Sequence, residues 1–157
     1  MELARRIYSD EPIDLVSVFS DPALLEGMRA QFEPFFQPDF VTVGDESEVG
    51  LEWEDQEAAV PGGSSRPTAT GIEGLLTFWR DWLSNWESWV VRPAEFIDVD
   101  EQRVLVLLDV KARSKTHRVE LPLPSANLLT IREGKVARLE LFTTQSAARK
   151  AAGLSEF

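Results

Sequence analysis

The sequence contains no cysteine, which excludes disulfide bridges, thiolate metal sites, iron–sulfur clusters and a cysteine nucleophile. Its single histidine, His117, excludes a histidine cluster around a metal. Long apolar runs are missing too: the longest, Val104 to Leu108, is too short to span a bilayer, and the opening residues hold no stretch resembling a secretory signal. No membrane partner and a cytoplasmic location are the resulting expectations. Positive charge is scarce, with 16 Lys+Arg against 27 Asp+Glu and a net charge of −11, and such a surface repels nucleic-acid phosphate. No nucleic-acid partner, no metal and no cofactor are expected.

What the sequence does hold is apolar substance. Hydrophobic residues make up 43% of it, with five Trp and nine Phe, enough to offset the entropy of ordering the chain. At 157 residues, a single domain over 1–157 is expected.

Asp21-Pro22 reads as an N-cap followed by proline at the first helical position, and Leu24, Leu25, Met28 and Phe32 recur at helical spacing until Pro34. Ile13, Val16 and Phe19 suggest a shorter helix before it. From Ala30 to Ser65 there is no Lys or Arg, while Asp45, Glu46, Glu48, Glu52, Glu54, Asp55 and Glu57 crowd together. That stretch reads as a solvated acidic loop or a lid, with strands expected at Phe40 to Val43 and around Leu51 to Trp53. It lacks the regular oxygen spacing of a calcium loop.

Thr70 and Glu73 match a capping box. Ile72, Leu75, Leu76, Trp79, Trp82, Leu83 and Trp86 then follow one helix face, which predicts a tryptophan stripe toward the interior. Such a stripe packs a core or stacks on a flat ligand. The period next changes to two. Val90 to Val99 reads as a strand whose Pro93 requires an edge or a bulge. In the following strand Val104, Val106, Leu108, Val110 and Ala112 share one face and Leu105, Leu107, Asp109, Lys111 and Arg113 the other, and both faces start apolar. A covered outer face predicts a homodimer. A strand from Arg118 to Ile131, bulged at Pro122 and Pro124, carries Asn127 on an apolar face. Glu133-Gly134 turns the chain into a strand with Ala137, Leu139 and Leu141 on one side and Arg138, Glu140 and Phe142 on the other. A short helix from Gln145 stops at Gly153.

Helices followed by a curved antiparallel meander make an α+β cone around a pocket, of the kind called cystatin-like. The segments from Gly71-Ile72-Glu73-Gly74 to Leu83, Glu95 to Asp98, Arg103 to Val106, Ile131 to Val136 and Ala151 to Leu154 resemble the SnoaL-like polyketide cyclases over about residues 35–155. That family belongs to the nuclear transport factor two-like superfamily, together with ketosteroid isomerase, scytalone dehydratase and limonene epoxide hydrolase. The resemblance implies a proton-handling carboxylate on the last strand, where this sequence has Leu141. The epoxide hydrolase pattern implies an Arg and an Asp where Leu108 and Val110 stand. Leucine and valine carry no proton.

A one-residue slip would bring Asp109 or Glu140 inward, yet each shares its face with cations. His117 reads as an exposed loop residue rather than a base. Lys111, Arg113, Lys115 and Arg118 form a basic strip without interleaved aromatics, read as a solvated hairpin tip or a partner for the acidic stretch. Asn127 is a hydrogen-bonding handle for a ligand or a tie for a strand bulge. The leading expectation is a hydrophobic small molecule bound in an apolar pocket lined by Trp79, Trp82, Trp86, Leu108, Val110, Asn127, Leu139 and Leu141. Alternatives are an isomerase, dehydratase or cyclase acting on a polycyclic or polyketide-type substrate through Asp109, Glu140, Asn127 or His117, and a structural dimerisation module.

Overall fold

The computed structural model describes residues 2–8, 11–44, 68–116 and 118–154. Helix α1 (Glu2–Ile7), which no sequence pattern announced, is followed by the two-residue strand β1 (Ile13–Asp14), helix α2 (Leu15–Ser20) and helix α3 (Pro22–Phe32). Asp14 accepts from the amide of Val16, and Asp21 accepts from those of Ala23 and Leu24, so each aspartate satisfies amides that its helix leaves unpaired. Pro34 tightens the chain into a 3-10 turn, Glu33–Phe35, before strand β2 (Phe36–Val43).

Strand β3 (Thr68–Thr70) leads into helix α4 (Gly71–Leu83). The expected capping box does not form. Thr70 is the N-cap residue but makes no side-chain capping bond, and Glu73 pairs with Arg29 of α3 instead. Gly71 explains the difference: its φ of +73° takes the first helical residue out of the geometry a capping box needs.

Strands β4 (Trp86–Asp98), β5 (Arg103–Ser114), β6 (Glu120–Pro122), β7 (Ser125–Arg132) and β8 (Lys135–Phe142) follow, and helix α5 (Gln145–Ala151) closes the described chain. The sheet runs β1-β4-β5-β7-β8-β2-β3, with β6 also on β5, and only β2 and β8 pair in parallel. This is an open, mostly antiparallel sheet with helices on it, the α+β cone expected.

Turns fix the register. Between β4 and β5, Asp100 accepts from the amides of Gln102 and Arg103 at 2.9 Å each. These bonds and the Arg103 side chain hold its carboxyl below the usual carboxylate range. Between β7 and β8, Glu133 (φ 55°) and Gly134 (φ 79°) both take the left-handed conformation that a two-residue hairpin of matching twist requires.

Pro93 sits at a register shift, as its ring demands. The bulge expected at Pro122 and Pro124 is absent. Lys111 pairs with Pro122 and Leu108 with Ser125 in one unbroken register, so the prolines interrupt the ladder without inserting a residue. The extra residue is Ala137, between the pairs Thr130 with Arg138 and Ile131 with Val136. Val136, not Ala137, therefore joins Leu139 and Leu141 in the core.

The inner face of the sheet, with Val104, Val106, Leu108, Val110 and Ala112, packs against Leu75, Trp82 and Leu83 of α4. On the outer face, Leu105, Leu107, Ala126, Leu128 and Phe142 pack against Ala148 and Ala152 at α5. The apolar start of both faces of β5 is thus explained within one chain. A second copy is not what covers Leu105 and Leu107.

Candidate functional site

Register places Phe96, Val106, Asn127 and Leu141 side by side across β4, β5, β7 and β8. Phe96, Val106 and Leu141 belong to the interior cluster, and alternation along β7 turns Asn127 the same way. A half-buried amide in an apolar row needs a partner. It finds one 119 residues away in sequence, where its Nδ2 donates to the Tyr8 hydroxyl at 2.7 Å. Tyr8 follows the end of α1, with its ring edge-on to Phe96 at 6.3 Å and 68°. Burial pushes the phenol up to about 12, with the Asn127 hydrogen bond working in the opposite direction. At neutral pH Tyr8 therefore keeps its proton. It can donate or accept a hydrogen bond but cannot serve as a base.

The positions where the resemblance implied catalysis are apolar and inward: Leu108, Val110 and Leu141 are all in the interior cluster. The slip that would bring carboxylates inward does not occur. Asp109 lies opposite Arg92, with Nη2 to Oδ2 at 3.5 Å and both side chains about half exposed. Glu140 lies opposite Leu128, an outer-face residue, and approaches Arg138 at 3.4 Å. The strand pleat turns Asp109 and Glu140 to the outer face, away from the interior cluster, as the cations sharing their faces led one to expect. Arg118 of the basic strip pairs with Glu87 at 3.5 Å. His117, the acidic stretch at 45–57 and the strand expected around Leu51 to Trp53 lie outside the described residues.

The tryptophan stripe needs correction as well. Helix α4 ends at Leu83, so Trp86 opens β4 instead of extending the helix. The rings still gather: Trp82 to Trp86 is 5.8 Å, Trp82 to Trp89 5.5 Å, Trp86 to Trp89 5.1 Å and Trp79 to Trp89 6.3 Å. Trp79, Trp82, Trp89 and Leu141, with Phe78 and Phe142, line a crevice of about 40 Å³. That is a small fraction of the about 300–1,000 Å³ of a small-molecule pocket. Leu108 and Leu139 lie in packed core and, among the described residues, line no hollow of ligand size. A larger hollow, about 560 Å³, opens instead among Pro12, Val90, Arg92, Asp109, Val110, Lys111, Pro122 and Pro124, and register puts Val90, Arg92, Asp109 and Lys111 on the outer face. Two buried polar atoms, Thr42 Oγ1 and Trp86 Nε1, have no hydrogen-bond partner among the described residues.

No protein-family model matches the sequence, and no curated protein is significantly similar to it. Solved structures are similar throughout their length. TerC, co-crystallized with polyporic acid, is 19% identical, with 97% of this chain and 96% of that one covered at a TM-score of 0.58. A candidate SnoaL-like polyketide cyclase from Jannaschia sp. CCS1 is 14% identical over 96% and 88% of the chains, at 0.60. An NTF2-like protein of unknown function from Burkholderia pseudomallei K96243 is 15% identical over 96% and 94%, also at 0.60. The fold is NTF2-like.

Within this NTF2-like cone, the residues that sequence reasoning missed are Tyr8, Phe78 and Trp89. Tyr8 is the sole tyrosine, but α1 has six residues, too few to display a helical period. Trp89 falls in the strand that follows the stripe, where alternation with Val91 was a usable signal.

Proposed function

We propose that this NTF2-like chain binds a hydrophobic small molecule in its cone and performs no conventional acid–base chemistry there. One observation carries the reading. Where an acid–base carboxylate was expected the cone has Leu141, and the polar groups at that level are the Asn127 amide and the Tyr8 phenol. Among the described residues the buried polar side chains are Thr42 and Ser125, whose hydroxyls keep their protons and do not titrate near neutral pH. An apolar interior with two convergent hydrogen-bonding groups has the composition of a ligand site. The co-crystal of TerC with polyporic acid supports small-molecule binding by a chain of this shape. The test is titration with naphthalene, read by tryptophan fluorescence. Saturable quenching is expected, and its absence up to the solubility limit contradicts the reading.

The small size of the crevice favours a second reading, a structural module that pairs with another copy through the open part of the outer face. Light scattering separates the two: a dimer that binds no apolar probe supports the module. A cyclase is favoured by the likeness to the Jannaschia protein, a candidate SnoaL-like polyketide cyclase. The outward setting of Asp109 and Glu140 weighs against it.

A further inference from the structure

Helix α1 has six residues, and a helix that short does not persist in water by itself. Its seat depends on a handful of side chains. Ala4 is fully buried and Ile7 nearly so. The Arg5 guanidinium lies over the Phe96 ring at 4.7 Å and that of Arg6 over Phe35 at 5.1 Å, so two cations pin the helix across the cone from opposite sides. Tyr8 completes the hold through Asn127. Among the described residues, no strand pairing joins α1 to the sheet.

The position that Tyr8 fills has the chemistry of a ligand site. Its hydroxyl accepts from an amide that would otherwise be unpaired in an apolar row, and its ring meets Phe96 by the edge. Leu141 belongs both to that row and to the crevice beneath Trp79, Trp82 and Trp89. An occupant larger than one phenol ring would therefore extend from Asn127 toward the tryptophans, where flat aromatic surface packs well. Resting on the reading of the cone as a ligand site, we infer that Tyr8 is an internal stand-in for the ligand. The ligand class is a neutral planar phenol, and α1 must leave the cone for it to enter.

The competition is then a closed–open equilibrium, and the apparent affinity falls by the fraction of chains that are open. Weakening the closed state tightens binding by the same factor. Arg5 and Arg6 are exposed, so Arg5→Ala/Arg6→Ala loosens α1 without touching the core. Each exposed cation–π contact contributes on a scale that corresponds, for two, to about 5- to 30-fold in affinity.

The experiment titrates the full chain and its variants with 2-naphthol and with naphthalene, by calorimetry and tryptophan fluorescence. The double arginine variant is expected to bind naphthol about 5- to 30-fold more tightly than the wild type. Asn127→Leu is expected to lose the preference for naphthol over naphthalene. Tyr8→Phe, which keeps the ring and frees the amide, is expected to bind naphthol more tightly, and it stands in if Asn127→Leu fails to fold. Equal affinity in the wild type and the arginine variant overturns the competition while leaving the cone a ligand site. Equal affinity for naphthol and naphthalene overturns the phenol class. No binding of either compound by any variant overturns the cone reading itself.

Discussion

Raising the pH should ionise Tyr8 late, and the fold should lose stability over the interval before it does. The sequence has one tyrosine, so phenolate absorbance reports this group alone. In the folded chain the proton stays on until about 12, whereas an unfolded tyrosine releases it near the ordinary phenol value of 10.0. Between those values the unfolded chain binds fewer protons than the folded one, so stability falls as pH rises through the window and is unaffected below it. That separation corresponds to at most about 3 kcal/mol of stability. The assay combines a spectrophotometric titration with urea unfolding across the window, using Tyr8→Phe to subtract the titration of lysines. Because the Asn127 hydrogen bond lowers the phenol pKa, Asn127→Leu should move the midpoint higher still. A wild-type midpoint near 10, or an identical loss of stability in Tyr8→Phe, would refute the burial of Tyr8 in the cone.

Tyr8→Phe and Asn127→Leu should each cost about 1–3 kcal/mol, and the double variant less than their sum, because the second change removes the group that the first left unpaired. Chemical denaturation of the four proteins measures this coupling. Asp14→Ala should cost about 1–2 kcal/mol, since Asp14 caps α2 and also accepts from the Trp89 amide at 3.1 Å; a thermal midpoint equal to the wild type's contradicts that double role. Leu105→Ala should cost about 2–5 kcal/mol in a monomeric sample, as expected for a side chain fully covered within its own chain; a small, concentration-dependent loss would mean that a partner covers it. Asp109→Asn and Glu140→Gln should leave naphthol affinity unchanged in calorimetry, whereas a loss with either would put that carboxylate at the site.

Most of the architecture was legible because it depends on short-range signals. Asp21-Pro22 started a helix, Glu133-Gly134 turned a hairpin, and Gly153, with a φ of 82°, stopped the last helix, each where local backbone chemistry directs. Alternation along β5 and β8 was enough to turn Asp109 and Glu140 outward and Leu141 inward. Failures came where a local rule met a competing contact. Gly71 and Arg29 undid the capping box at Thr70, and the pairing with β5 ran unbroken past Pro122 and Pro124 while β8 bulged at Ala137. The site was half legible. Asn127 stood out as an amide on an apolar face, but its partner lies on a helix too short to show a period, and only the folded chain brings Tyr8 to it. The filling of the cone was illegible for the same reason, since packing among Ala4, Ile7 and the tryptophans is a property of three-dimensional fit rather than of pattern.

Side-chain amide NMR of Asn127 during a naphthol titration tests the central claim most directly. Saturable displacement of the Asn127 resonance, together with loss of order in α1, is the result predicted. Binding that leaves that resonance in place and perturbs Arg92, Lys111 and the outer face instead would contradict it.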